Sequence, residues 1–243
     1  MRANNGAPMT PTVIITRPAL QGISFADDIA ARWQGPLRII QSPLLEIVAV
    51  PAQIDPPDNV IFTSANGVMA AKEMALPRGI RAWCVGTKTA QAAQDAGFVP
   101  ITGPGDAQRL VADIIAAAPT GQIAHIRGRH ARGDVCAQLK AVGLQCLDVV
   151  AYDQQPQLFS SEAKEALAQQ VPLIFPLFSP RTATIFSKQG PFVAPVHVIA
   201  LSEAVKDAVD MRLVTSVVIA DEPNAKMMQA ATIFAMQALT RKG

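Results

Sequence analysis

The stretch VIFTSANGV, residues 60–68, decides the fold class of this chain. Its first three residues form the apolar run of a buried strand, and the hydroxyls of Thr63 and Ser64 then precede a helical pattern. The stretch AWCVGTKTA, residues 82–90, repeats this order of strand, small or hydroxyl residues and helix. Apolar strands without alternation, each followed by a helix, are typical of a parallel sheet covered on both faces, so the two stretches predict an α/β fold.

The same alternation continues toward both ends of the chain and predicts about ten strands and nine helices. This number fits two doubly wound parallel-sheet lobes, of flavodoxin or Rossmann type, better than a single sheet. The predicted strands cover 12–16, 37–40 with its continuation 44–50, 60–62, 82–85, 99–101, 123–126, 146–150, 173–178, 196–200 and 216–219. The predicted helices cover 20–33, 66–74, 88–96, 107–117, 132–142, 162–169, 181–188, 203–209 and 224–239.

The composition excludes several classes of protein. The chain has 243 residues, of which 50% are hydrophobic and 16% charged, and its net charge is +2. A disordered protein would need low hydrophobicity and high net charge, and a nucleic-acid binder usually carries a large basic excess. We therefore expect a globular protein with no nucleic-acid partner.

The cysteines and the apolar runs bear on the compartment. Cys84, Cys136 and Cys146 form no CxxC pair, so we expect reduced thiols and neither a disulfide framework nor a zinc site. The longest apolar runs, such as Val171–Phe178, are far shorter than the ~20 residues that span a bilayer. The N-terminal segment lacks an apolar signal core, and Met9 is an alternative start of translation. These features predict a cytoplasmic protein with no membrane partner.

Hydroxyl and small residues follow four of the predicted strands, where the next helices begin. Ligands of doubly wound sheets bind beyond the carboxyl ends of the strands, and free N–H groups at helix starts favour anions. Ordinary helix capping is the better explanation of any single joint, so a binding site requires several joints that face one cleft. The four joints are Thr63-Ser64-Ala65-Asn66, Gly86-Thr87-Lys88-Thr89, Ser179-Pro180-Arg181 and Leu201-Ser202.

A fifth joint, HIRGRHARGD at residues 125–134, is basic. Its arginines suit carboxylate or phosphate groups, and a solvated basic edge is the alternative. A nucleic-acid patch would have interleaved aromatic residues, which this joint lacks. The joint has no GxxxxGK[ST] phosphate loop, and no GxGxxG follows the first strand. The three histidines His125, His130 and His197 have no metal-ligand spacing, so we expect no metal.

The single tyrosine, Tyr152, lies at the end of the predicted strand 146–150. A phenol can donate a hydrogen bond or supply a proton, which would suit a catalytic role. The alternative is a boundary residue with a buried ring and a solvated hydroxyl. The residue is therefore a candidate whose role depends on what lies near its hydroxyl.

Five short segments occur in a fixed order along the chain. They are Ile61–Val68, Val85–Ala90, Arg127-Gly128 with Arg132, Val150-Ala151-Tyr152 before Pro156, and Phe178-Ser179-Pro180. Taken together, over about residues 12–240, they resemble the uroporphyrinogen-III synthase family. The resemblance implies two α/β lobes with a cleft between them. Lobe 1 would contain 9–43 plus 157–243, and lobe 2 would contain 44–156.

The resemblance also implies an activity. The family cyclises hydroxymethylbilane, a linear tetrapyrrole with eight carboxylates, to uroporphyrinogen III, with loss of water and inversion of the terminal pyrrole. It implies a carbon–oxygen lyase of haem biosynthesis that needs no cofactor and no metal, with a small-molecule partner, and we expect a monomer. Tyr152 would assist departure of the hydroxyl, and Arg127 and Arg132 would bind carboxylates. The other substrate-binding positions would be Thr63, Ser64, Asn66, Gly86, Thr87, Thr89, Ser179 and Ser202.

Glu203 departs from the family's pattern, which usually has a second Gly-x-Thr-Thr-Ala-like joint where this chain has residues 200–204. A carboxylate suits a helix start but would repel an anionic substrate, so either Glu203 points away or this half of the site has changed. The alternative function is a non-catalytic two-lobed binder of a polyanionic ligand. A nucleotide-binding enzyme is disfavoured by the missing phosphate loops.

Overall fold

The computed structural model describes residues 9–130 and 133–241. In this part of the chain, eleven strands form two sheets, which have five and six strands. The strands are β1 (Thr12–Ile15), β2 (Arg38–Gln41), β3 (Leu45–Ala49), β4 (Asn59–Phe62), β5 (Arg81–Cys84), β6 (Val99–Thr102), β7 (Ile123–Gly128), β8 (Cys146–Pro156), β9 (Leu173–Leu177), β10 (Val196–Ala200) and β11 (Ser216–Ile219).

Both sheets are built mainly from parallel strands. The five-stranded sheet has the order β11-β10-β9-β1-β2, and all its neighbouring strands are parallel. The six-stranded sheet has the order β3-β8-β7-β4-β5-β6, and its strands from β8 to β6 are parallel. The predicted α/β class with two parallel sheets is therefore confirmed.

Nine α-helices connect these strands in the described part of the chain. Several begin where the sequence predicts a side-chain cap: Ser64 accepts a hydrogen bond from the Gly67 N–H, and Ser179 accepts one from the Thr182 N–H. The helices are α1 (Ala19–Ala30), α2 (Ala65–Glu73), α3 (Thr87–Asp95), α4 (Ala107–Ala117), α5 (Val135–Ala141), α6 (Ser161–Leu167), α7 (Pro180–Ser187), α8 (Glu203–Lys206) and α9 (Ala225–Thr240).

Two elements differ from their predicted bounds for identifiable reasons. Helix α5 begins at Val135 rather than at residue 132, because the Asp134 carboxylate accepts a hydrogen bond from the Ala137 N–H and thereby caps the helix. Strand β8 continues past Val150, because β3 is its second neighbour in the sheet. Tyr152 consequently lies within a strand instead of just after one.

Strand β4 shows why the apolar runs do not alternate. Val60, Ile61 and Phe62 are all fully buried, although successive strand residues point to opposite faces of a sheet. Phe62 belongs to a core cluster that includes Val68 of α2, whereas Ile61 belongs to a second cluster that includes Leu110 of α4. Both faces of the sheet are therefore covered, and each fully buried side chain contributes about 1.5–3 kcal/mol.

The chain divides into two compact units. One contains the described residues up to Glu46 and from Pro156 onward, and the other contains the described residues from Ile47 to Gln155. Both borders lie inside strands, β3 and β8, which are neighbours in the six-stranded sheet. The lobe boundaries 9–43 plus 157–243 and 44–156 remain a prediction. Among the described residues, no helix is long and apolar enough to cross a membrane.

The expectation of three reduced thiols is wrong for two of the cysteines. Cys136 and Cys146 form a disulfide, whereas Cys84 is a free, buried thiol. Cys136 lies in the first turn of α5, and Cys146 begins the strand β8 that follows this helix. Their Cα atoms are 5.3 Å apart because the helix packs back on the sheet, and this distance permits a disulfide. Sequence spacing alone does not reveal such a pair.

Candidate active site

Ser64 connects helix α2 to Tyr152. Its hydroxyl oxygen accepts a hydrogen bond from the Gly67 N–H at 3.3 Å and lies 3.0 Å from the phenol oxygen of Tyr152. Helix α2 can approach β7 closely because Gly67 has no side chain; a Cβ there would lie 2.6 Å from the carbonyl oxygen of Ile126. Ser64 is thus held between its own helix and the candidate catalytic phenol.

The Tyr152 ring packs against Gly128 on the neighbouring strand. The residue is only 6% exposed, and a Cβ added at Gly128 would lie 2.5 Å from the Cε2 atom of its ring. The two residues face each other across β7 and β8, beside an irregularity in register between Arg127 and Gly128. The family motif contains Gly128, but no sequence signal indicated that this glycine makes room for the tyrosine ring.

A buried histidine lies behind Thr63. The Thr63 hydroxyl is 3.4 Å from Nε2 of His125, and Nδ1 of His125 is 3.5 Å from a carboxylate oxygen of Asp148. His125 is 1% exposed, and burial lowers its pKa to about 4, although Asp148 acts in the opposite direction. The imidazole is therefore neutral at pH 7. Asp148 was not among the predicted site residues, because its place opposite His125 depends on the β7–β8 register, which a single sequence does not specify.

Arg127 is already engaged by a carboxylate. Its Nε donates to Asp148 at 2.6 Å, a terminal nitrogen donates to the other oxygen of Asp148, and Nη1 donates to the carbonyl of Gly128 at 3.0 Å. The hydrogen bond from Arg127 holds the pKa of Asp148 below its usual range, and the same contact raises the pKa of Arg127. A substrate carboxylate at Arg127 would have to share its guanidinium with Asp148. Arg132, the second predicted carboxylate partner, lies outside the described residues.

The joint between β5 and α3 lies at the same edge of the sheet as Thr63 and Ser64. Strands β4 and β5 are parallel and end level with each other, because Phe62 pairs with Cys84. The predicted binding residues Asn66, Gly86, Thr87 and Thr89 lie in the joints and first helical turns that follow these two strands.

Ser179 and Ser202 belong to the other unit of the chain. They precede helices α7 and α8 after the parallel strands β9 and β10, which also end level with each other. Ser179 accepts from the Thr182 N–H, whereas the Ser202 side chain makes no capping hydrogen bond. Glu203 is largely exposed, and its carboxylate pairs with Lys206 at 3.3 Å, so part of its charge is balanced within its own helix.

The end of β7 also borders a polar cavity of about 340 Å³. In the described part of the chain, His125, Cys136 and Asp148 present a nitrogen, a sulphur and an oxygen that all lie within 4.8 Å of one another, although this sulphur belongs to the Cys136–Cys146 disulfide. The residues that line the cavity are His125, Arg127, Arg129, Gly133, Asp134, Val135 and Asp148.

Comparison with one solved structure supports the same α/β fold. The chain resembles the crystal structure of uroporphyrinogen-III synthetase from Helicobacter pylori 26695, with 17% identity and a TM-score of 0.66, over 93% of this chain and 100% of that one. A mutant uroporphyrinogen III synthase from the extremely thermophilic bacterium Thermus thermophilus has 15% identity and a TM-score of 0.49, over 96% and 100% of the two chains. A search of curated proteins finds no significant match.

A family model decides the identity of the chain. The model described as Uroporphyrinogen-III synthase HemD matches residues 30–230, which is well over half of the sequence and includes strands of both sheets. The chain therefore belongs to the uroporphyrinogen-III synthase family, the cofactor-independent lyases that cyclise hydroxymethylbilane to uroporphyrinogen III.

Proposed function

We propose that the lyase reaction of this chain takes place at the carboxyl edge of the six-stranded sheet, around Tyr152. The observation that carries the proposal is the 3.0 Å contact between the hydroxyls of Tyr152 and Ser64, because it links the only tyrosine to the start of helix α2. The substrate's terminal hydroxyl must leave before the ring can close. A phenol beside that hydroxyl can assist its departure by donating a hydrogen bond.

A relay of hydrogen bonds strengthens this donor. The Gly67 N–H donates to Ser64, the Ser64 hydroxyl donates to the phenol oxygen, and the Tyr152 hydroxyl is then available for the leaving group. We assign Ser64 as the donor in this pair because the positive end of helix α2 polarises its hydroxyl, and chains of hydrogen bonds reinforce one another. Since a pyrrole nitrogen can itself expel the hydroxyl, a neutral donor is sufficient.

Orientation of the substrate is the second task of the site. The flexible chain of four pyrroles must be held so that its two ends meet, and such positioning lowers the barrier substantially. The substrate's carboxylates require donors, and the free N–H groups at helix starts supply them. We propose Arg127 and Arg132 as additional carboxylate partners. The proposed donor positions at helix starts are Thr63, Ser64, Asn66, Gly86, Thr87, Thr89, Ser179 and Ser202.

A product assay tests this proposal. Freshly generated hydroxymethylbilane is added to the purified chain and to Tyr152→Phe, and the two uroporphyrinogen isomers are separated. We expect isomer III from the wild type and a rate lower by about 100-fold in the variant, since a positioned proton donor contributes about 10²–10⁴-fold. Isomer I alone, the spontaneous product, would instead support the polyanion binder. Unchanged turnover by a folded Tyr152→Phe would remove Tyr152 from its role.

The assembly state and the compartment are also proposals. We propose a cytoplasmic monomer whose partner is the tetrapyrrole substrate, with no nucleic-acid partner. Sedimentation at several protein concentrations tests the first point, because a dimer would show a mass that rises with concentration. Fractionation of the source cells tests the second.

A further inference from the structure

Three potential metal ligands converge beside the cavity at the end of β7, from three different elements. His125 lies on β7, Cys136 on α5 and Asp148 on β8, and their donor atoms are all within 4.8 Å of one another. Imidazole nitrogen, thiolate sulphur and carboxylate oxygen together form a donor set that suits zinc. The proposed mechanism uses neither Cys136 nor Asp148 as a reacting group.

The separation between the nitrogen and the oxygen matches that of a tetrahedral site. Nδ1 of His125 and the nearest oxygen of Asp148 are 3.5 Å apart, which is longer than a normal hydrogen bond. Around a zinc ion with bonds of about 2.0–2.3 Å, neighbouring ligand atoms lie about 3.3–3.6 Å apart. The nitrogen and the oxygen thus already have the required separation, and the sulphur would have to approach them by at most about 1.2 Å, given the 4.8 Å limit.

The surroundings of Asp148 also suit a ligating role. Arg127 donates hydrogen bonds to both carboxylate oxygens of Asp148. The guanidinium of Arg127 would then orient the ligating carboxylate from behind, as such supporting partners commonly do. The cavity of about 340 Å³, which both His125 and Asp148 line, leaves room for a water molecule at the fourth position.

The sulphur is the ligand that decides whether the site exists. In the structure, Cys136 is bonded to Cys146, and a disulfide sulphur is not a thiolate ligand. We propose that reduction of this disulfide by a dithiol creates a zinc site formed by His125, Cys136 and Asp148, and that reoxidation abolishes it. In the reduction, the dithiol loses two electrons and two protons and becomes a disulfide, while the Cys136–Cys146 bond becomes two thiols. Zinc then binds as the Cys136 thiol releases its proton.

Cobalt(II) binding by the whole chain tests the site without an activity assay. One sample is reduced with a dithiol and desalted without oxygen, and the other stays oxidised. We expect one Co²⁺ per reduced chain, with the absorption of a thiolate–cobalt bond that Zn²⁺ abolishes, and no such absorption from the oxidised chain. Equal spectra from both samples, or no thiolate band in the reduced one, would overturn the proposal.

Variants identify the ligands. Cys136→Ala and His125→Ala should weaken Co²⁺ binding to the reduced chain by more than about tenfold. Cys84→Ala is the matched control, because its thiol is buried outside the cluster, and it should bind normally. Cys146→Ala should bind Co²⁺ without any reductant, since Cys136 then has no partner. Failure of this last variant, with its fold verified by circular dichroism, would contradict the three-ligand assignment.

Discussion

Gly128→Ala tests the packing that positions Tyr152. The new Cβ would lie 2.5 Å from Cε2 and 2.7 Å from Cζ of the ring, whereas ordinary contacts between carbon atoms are about 3.5–4.0 Å. Because the ring is buried and Gly128 lies on a central strand, the phenol must move by about 1 Å. This shift would separate its hydroxyl from Ser64.

The expected effects follow from this displacement. Overpacking of a buried site costs about 1–3 kcal/mol, which should lower the free energy of unfolding by that amount. A displacement of about 1 Å in a catalytic group costs about 100-fold in rate, so kcat should fall by about this factor. The fall in kcat should therefore greatly exceed the fall in the fraction of folded protein, since the variant stays folded.

The measurement compares four proteins: wild type, Gly128→Ala, Tyr152→Phe and the double variant. Rates of isomer III formation and urea unfolding curves are determined for each. On the Tyr152→Phe background the hydroxyl is already absent, so the added alanine should slow the reaction by less than about fivefold while its cost in stability persists. An equally large loss of rate on both backgrounds would refute the idea that Gly128 acts through the phenol.

Two further predictions concern neighbouring groups. Ser64→Ala and its matched control Ser160→Ala each remove a helix cap whose hydrogen bond is 3.3 Å long. Both variants should therefore lose about 0.5–2 kcal/mol of stability. Only Ser64→Ala should lower kcat, because only Ser64 contacts Tyr152. Equal rates in the two variants would argue against the relay. His125 has a pKa of about 4 in the folded protein, below its unfolded value of 6.5. The stability that it contributes is therefore present above pH 6.5 and is lost as the pH falls toward 4. The free energy of unfolding should fall by up to about 1.4 kcal/mol per pH unit in this range. Unfolding curves across this range should show the slope, His125→Gln should reduce it, and an unaltered slope in that variant would contradict the assignment.

The sequence predicted the fold well because the relevant signals are local. A fully buried parallel strand such as β4 appears as an uninterrupted apolar run, and a capping hydroxyl such as Ser64 or Ser179 marks the next helix start. The end of β8 was misjudged because its continuation depends on β3, about a hundred residues earlier in the chain. Pairing over that distance leaves no periodic pattern near residue 150.

The site was only partly predictable, for the same physical reason. Tyr152 and Ser64 were identified as separate motifs, but their contact joins residues 88 positions apart. His125 was noted as the first residue of the basic joint and as a histidine without metal spacing, whereas its neighbours in the structure are Asp148 on the adjacent strand and Cys136 on a helix. Relations of this kind depend on strand register and on helix packing, which a single sequence does not specify.

The order of the strands has a consequence for synthesis on the ribosome. Strand β1 pairs with β9, and residue 12 is the partner of residue 173. This pairing cannot form until residue 173 has been synthesised. The inserted unit has all its own strands by residue 155 and contains many closer pairings. Because domains form as their residues emerge, the inserted unit can fold first, while the N-terminal strands lack their partner β9. The chain thus carries an exposed apolar segment through most of its own translation, and slower elongation beyond residue 155 should prolong its need for chaperones.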